Sequence, residues 1–165
     1  MYLLDTDIVF ELRNAKAGGT DAGLAAWAAA APKASLFISA LTLLELETAV
    51  SQAERRDKAA SQALRAWLDG PVAQAFEGRV LPVDAAVARG RARVTLVNSR
   101  DALLAATALE HGLTLVTRHV AAFKVNRLKV FNPWGYKPEA LDDSEDWGLV
   151  AKAGSQWLRN IFVRG

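Results

Sequence analysis

The chain has 165 residues, 52% of them apolar and 23% charged, with a formal net charge of +2; this is the profile of one folded domain with a sizeable core, neither disordered nor fibrous. It has no cysteine and two histidines, His111 and His119, which excludes disulfides, thiolate metal centres and a zinc site built mainly from histidine, so any metal must be held mainly by oxygen ligands. No apolar run approaches a membrane span, and the N-terminus has neither a basic leader nor a long apolar stretch, so a cytoplasmic protein with no membrane partner is expected.

The first apolar run, Tyr2 to Leu4, predicts a strand, and it meets two carboxylates, Asp5 and Asp7, at once. An unpaired carboxylate at the edge of a core costs several kcal/mol, so these acids either cap a helix or hold something. Further strands are predicted at Leu36 to Ile38, Val80 to Val83, Leu113 to Val116 and Leu128 to Phe131, each short and rich in β-formers. Helical patterns lie between them at 7–13, 21–31, 41–56, 58–69, 71–76, 84–91 and 101–111. Asp7 is expected to cap the first of these, Pro71 to open the fifth, Asp84 to cap the sixth and Gly112 to close the last. The segment 93–98, "RVTLVN", fits either a strand or an extended connection.

After "FNPW" at 131–134 the composition turns to Gly, Pro and acidic residues, and then to apolar residues at helical spacing, Trp157, Leu158, Ile161 and Phe162. The expected organisation is a body over 1–134 and an extension over 135–165, an acidic linker plus a short amphipathic helix. The body carries 16 Lys/Arg against 13 Asp/Glu, and residues 137–165 carry four against five. Its basic clusters at 54–58, 89–93 and 118–129 are ordinary solvated faces unless something else points to nucleic acid.

Strands alternating with helices predict a parallel sheet covered by helices. In such folds ligands bind beyond the carboxyl ends of the strands. Asp5 follows strand one, Glu45 lies early in the helix after strand two, Asp101 begins the helix into strand four, and Thr117 ends strand four. Three carboxylates and a hydroxyl at one mouth suit a hard cation such as Mg2+ or Mn2+, and such an ion assists attack on phosphodiesters. Each has a plainer role as well: Asp101 as a helix cap and Glu45 as one solvated acid among several.

The stretches "YLLDTDIVFELR", "ISALTLLELETAV", "RDALLAATALEHGLTLVTR" and "FNPW" resemble the PIN domain, specifically the VapC-type or FitB-like toxins of bacterial toxin-antitoxin modules. The resemblance spans Met1 to about Trp134. It implies a three-layer α/β/α sandwich with a central parallel sheet of four to five strands, and a toxin acting as a Mg2+- or Mn2+-dependent endoribonuclease on tRNA or mRNA. It further implies a cognate VapB-type antitoxin, a homodimer and a toxin-antitoxin hetero-oligomer. The family's acids match Asp5, Glu45 and Asp101, and its "DT" and "TR" motifs place Thr6 and Thr117 near the metal. Asp7 falls where the family often has Asn or Ser. Arg118 and its basic neighbours are expected to position the RNA backbone. The family's usual acids after "VTR" are replaced by His119 and Ala122, so three carboxylates are left to hold one metal, with His119 as a candidate nitrogen ligand or phosphate donor.

The competing function is a degenerate PIN domain that binds antitoxin or RNA without cleavage. A receiver-like site for a phosphorylated group needs a Lys at a later strand end, where this chain has Thr117-Arg118, and is discounted.

Overall fold

The computed structural model describes residues 1–14 and 19–137. Five strands, β1 (Tyr2–Leu4), β2 (Leu36–Ser39), β3 (Val80–Leu81), β4 (Thr114–Val116) and β5 (Val130–Phe131), form one parallel sheet in the order β3-β2-β1-β4-β5. Seven helices accompany them among the described residues: α1 (Thr6–Asn14), α2 (Ala22–Ala30), α3 (Ala40–Arg56), α4 (Lys58–Trp67), α5 (Ala73–Ala75), α6 (Ala85–Arg91) and α7 (Ser99–Glu110).

Period-two alternation splits the strand residues between two cores. Leu4, Leu36, Ile38 and Val116 face one side with Ile8 and Leu12 of α1, Trp27 of α2, Leu46 and Val50 of α3, and Trp67 of α4. Leu3 and Leu115 face the other side with Val87 of α6 and with Ala102, Leu104 and Ala105 of α7. The result is the expected three-layer α/β/α sandwich, with β1 in the middle of the sheet and buried on both faces.

Several local expectations need correction. Pro71 does not open a helix; it lies inside a π-helical turn, Leu68–Val72, because a residue without an N–H cannot join an ordinary helical ladder and the chain widens around it. The α4 pattern therefore stops at Trp67, and only the short α5 follows. Of the two readings left open for segment 93–98 the connection holds: Val94 alone is buried among its apolar residues, Val97 is 99% exposed, and Asn98 is committed to capping α7. The strands at 80–83 and 128–131 shrink to two residues each, as suits sheet edges.

Other boundaries are as expected. Asp84 caps α6, and Gly112 closes α7 with φ +63°; the structure adds Asp21 as the cap of α2. Packing continues past Trp134: Tyr136 stands edge-on to Phe131 with ring centroids 6.4 Å apart, and the Gly135 amide donates to Asp21 Oδ1 at 3.0 Å. Gly23 makes this possible, because a β-carbon there would overlap the backbone of Gly135 and Tyr136. The apolar helix expected around Trp157 to Phe162 lies outside the described residues.

Candidate active site

Strand order runs outward from β1 to β2 and β3 on one side, then restarts at β4 on the other. The reversal falls between β1 and β4, and chain direction puts the carboxyl ends of both at the same rim, where open α/β sheets bind ligands. Asp5 follows β1 and Thr117 follows β4. The Asp5 amide continues the ladder by donating to the Val116 carbonyl at 3.0 Å.

Asp5 is 2% exposed, and both its oxygens are occupied. Oδ1 accepts from the Thr6 amide at 2.8 Å and from the Arg100 guanidinium; Oδ2 accepts from the Thr117 hydroxyl at 2.7 Å. Thr117, itself buried, accepts in turn from the His119 amide at 3.1 Å. A carboxylate so held is acceptable in a buried place because every contact comes from a donor.

Glu45 arrives from the second turn of α3, whose start is fixed by Ser39 accepting from the Leu41 amide at 3.1 Å. Its carboxylate accepts from the Thr6 hydroxyl and from Arg100 through Nε at 2.6 Å and Nη2 at 2.8 Å. Asp101 lies in the first turn of α7 and accepts from Arg100 Nη1 at 2.9 Å. It is not the helix cap: Asn98 Oδ1 takes the amides of Arg100 and Asp101 at 2.9 and 3.2 Å. Asp101 is thus free of backbone duty and can bond Arg100.

One guanidinium therefore holds all three sequence-predicted acids. Burial opposes the charge on Arg100, but its hydrogen bonds to Glu45, Asp5 and Asp101 and the Asp5 charge outweigh this and raise its pKa. Burial likewise pushes the Glu45 carboxyl up, yet the bonds from Arg100 and Thr6 and the Arg100 charge bring it below its ordinary value.

Asp7 behaves otherwise. It occupies the second position of α1 rather than capping it, since the residue ahead of the helix is Asp5. Neither Asp7 oxygen has a hydrogen-bond partner among the described residues. Burial and the Asp5 charge raise its pKa, offset in part by the Ile8 amide, His119 and the Arg118 amide. His119 Nε2 lies 3.7 Å from Asp7 Oδ2, on a side chain 69% exposed. Arg118 turns away: its guanidinium lies 5.2 Å from the centre of the Trp134 ring, and it does not line the cleft. The cleft of about 720 Å3 above these groups is walled by Phe10, Leu41, Leu44, Thr48 and Gln52 as well as Asp5, Asp7, Glu45, Arg100 and His119; Asp101 stands behind Arg100 and does not line it.

A PIN domain family profile matches residues 2–124. The chain belongs to the PIN-domain family. Among proteins similar to this PIN domain is VapC ribonuclease Y4jK of Sinorhizobium fredii, 32% identical over 145 residues, covering 81% of this chain and 98% of that protein. Toxin FitB of Neisseria gonorrhoeae is 30% identical over 142 residues, covering 81% and 99% respectively. A solved structure of FitAB bound to an IR36 DNA fragment superposes with a TM-score of 0.73 at 26% identity, covering 84% of this chain and 99% of that one. The kin of this PIN domain thus include named toxins and ribonucleases.

The donor set of this PIN domain suits a hard divalent cation: three carboxylates and a threonine hydroxyl converge on one point that already receives positive charge. Among the described residues no three acids or histidines are grouped to hold an ion as placed, and Arg100 bonds Asp5, Glu45 and Asp101 alike. No helix among the described residues is long and apolar enough to cross a membrane.

Arg100 is the site residue that sequence reasoning missed. Its signal was its place: a cation immediately before Asp101, at a rim where three carboxylates were expected to meet.

Proposed function

We propose that this PIN domain is the toxin of a toxin-antitoxin pair and hydrolyses RNA phosphodiesters in a reaction dependent on Mg2+ or Mn2+. The observation that carries the proposal is the convergence of Asp5, Glu45 and Asp101 on a single cationic group at the switch point of the sheet. The relatives named VapC ribonuclease and Toxin FitB support the same reading.

Asp5, Glu45 and Asp101 would hold the ion. A divalent ion so bound polarises a phosphoryl oxygen and lowers the pKa of an attacking water. Thr117 and the Thr6 amide fix the Asp5 carboxylate by two bonds from opposite sides, so this ligand is oriented before anything binds. The Thr6 hydroxyl does the same for Glu45. His119, exposed at the cleft wall, is placed to donate to a phosphate oxygen. In this reading residues 1–134 form the PIN body, and 135–165 is an appended extension.

The partners proposed are a VapB-type antitoxin, a second copy of the chain, and tRNA or mRNA as substrate, in the cytoplasm. The FitAB neighbour, solved with a DNA fragment, supports a protein partner.

The test is cleavage of a mixed tRNA and mRNA pool by antitoxin-free protein in Mg2+, Mn2+ or EDTA, beside Asp101→Asn. Discrete fragments that need metal and vanish in the variant are expected. Metal-independent cutting, or equal cutting by Asp101→Asn, would refute the site. A folded protein that binds antitoxin and cuts nothing would favour the binding-only PIN domain, with His119 and Ala122 in the place of acids as the reason.

A further inference from the structure

We propose that Arg100 is a built-in occupant of the acid cluster, and that a divalent ion enters Asp5, Glu45 and Asp101 only by displacing it. The inference rests on the metal-dependent reading above, and it adds a competitor supplied by the chain itself.

The hydrogen-bond inventory of the three carboxylates carries it. Among the described residues, five of their six oxygens already accept a bond, and only Asp101 Oδ2 does not. Arg100 takes four of these five: Asp5 Oδ1, both Glu45 oxygens and Asp101 Oδ1. The fifth, Asp5 Oδ2, is tied to Thr117. An incoming hard cation needs the same oxygens from the same point of convergence, which the guanidinium fills, and it meets a fixed positive charge there, so the two cations oppose one another by both occupied space and repulsion.

Release is sterically simple. Arg100 sits in the first turn of α7, and its side chain is 28% exposed beside an open cleft. Its guanidinium leaves by rotating side-chain torsions, with Asn98 still holding the backbone of the first turn through the Arg100 and Asp101 amides. The fork also explains why three acids can assemble without metal: their mutual repulsion is neutralised in part from within, and their side chains are kept aimed at a common point. Arg100 is thus a positioning residue in the metal-free state and an obstacle to loading.

The experiment is Mn2+ binding by titration calorimetry, without RNA, to the full chain, to Arg100→Gln and to Arg100→Lys. Arg100→Gln is expected to bind about 10- to 100-fold more tightly than the parent, equivalent to about 1.4–2.8 kcal/mol. Arg100→Lys, which keeps the charge and loses the fork, is expected between the two. A second readout uses the unmutated protein: the Arg100 Nε–H resonance, held by Glu45, is expected to shift or be lost as diamagnetic Mg2+ saturates the site. This readout stands even if Arg100→Gln fails to fold. Equal Mn2+ affinity in parent and Arg100→Gln, or an Arg100 Nε–H signal unmoved at saturating Mg2+, would overturn the competition while leaving the metal reading intact. Absence of Mn2+ binding by all three folded proteins would overturn both.

Discussion

Asp5→Asn, measured in EDTA, isolates the electrostatic state of the cluster. A group of bare carboxylates is relieved when one is neutralised, so the substitution would then stabilise the fold. Here Asp5 Oδ1 accepts from the Arg100 guanidinium and the Thr6 amide, while Oδ2 accepts from the Thr117 hydroxyl. All three partners are donors, and Asn has one acceptor oxygen and one donor nitrogen. The amide can turn its nitrogen to Thr117, whose hydroxyl rotates to accept, so the main loss is the charge on the Arg100 bond. A hydrogen bond to a charged group contributes about 1.5–3 kcal/mol. Arg100 keeps Glu45 and Asp101 and is partly solvated, which brings the expected cost to about 1–2 kcal/mol, or about 2–8 °C in Tm for a domain of this size. In an Arg100→Gln background the sign should reverse, because removing a carboxylate then relieves repulsion. Urea denaturation of the four proteins of this cycle checks both statements, provided the m value is constant. A stabilising Asp5→Asn in the parent background would show that the guanidinium does not neutralise the cluster.

Thr117→Val removes a buried hydroxyl that bridges Asp5 Oδ2 and the His119 amide, and is expected to cost about 1–3 kcal/mol in thermal or urea unfolding. Asp7→Asn is expected to stabilise the fold at neutral pH by a few tenths of a kcal/mol, since the carboxylate it replaces has no hydrogen-bond partner among the described residues and stands near Asp5; a lower Tm for this variant would mean that Asp7 holds a partner. Gly23→Ala pushes a β-carbon into the backbone of Gly135 and Tyr136, so a fold destabilised by about 1–3 kcal/mol through overpacking is expected, read as a lower Tm. The Asp21 carboxyl is held below its ordinary 3.8 by the amides of Gly135, Leu24 and Gly23. Because its folded pKa is depressed, its contribution is present above pH 3.8 and lost as pH falls through the folded value. The stability gap between the parent and Asp21→Asn should therefore close on acidification from pH 4 to pH 2, and a gap that widens there would contradict the capping role.

The sandwich was legible because its signals are local and repeated. Tyr2-Leu3-Leu4 and Leu36-Phe37-Ile38 are short, apolar and followed by helices, and Asp84 and Gly112 mark helix ends by chemistry that needs only neighbouring backbone. The acids at the rim were legible for the same reason: each follows or begins an element, so chain direction alone sends it to one edge of the sheet. Illegible were features decided by distant partners. The "RVTLVN" segment has the β-branched content of a strand, yet it pairs with no strand of the sheet, and Asn98 is drawn to the amides of α7. Asp7 had the composition of a cap, but Asp5, one strand-end closer, occupies the position ahead of the helix. Pro71 had the position of a helix start, and its missing N–H was met instead by a wide turn.

Arg100 shows how a charge balance can precede a structure. A rim that gathers Asp5, Glu45 and Asp101 cannot stay unpaired in a site where Asp5 is 2% exposed, because the cost of desolvating one carboxylate is compounded by repulsion from the next. Either a carboxyl is pushed towards its protonated form, the direction burial and the Asp5 charge push Asp7, or a cation is supplied: a metal, a partner's side chain, or a basic residue of the same chain. Basic residues at the sequence positions closest to the rim are few, and Arg118 is committed to Trp134. Arg100, adjacent to Asp101 and held in the first turn of α7 by Asn98, can reach all three acids with one planar fork. The same accounting constrains any partner that brings its own cation to this cleft. With Arg100 in place, an added guanidinium finds only Asp101 Oδ2 without a donor among the described residues, so a basic side chain from an antitoxin would have to share the cluster or expel Arg100, as a metal would.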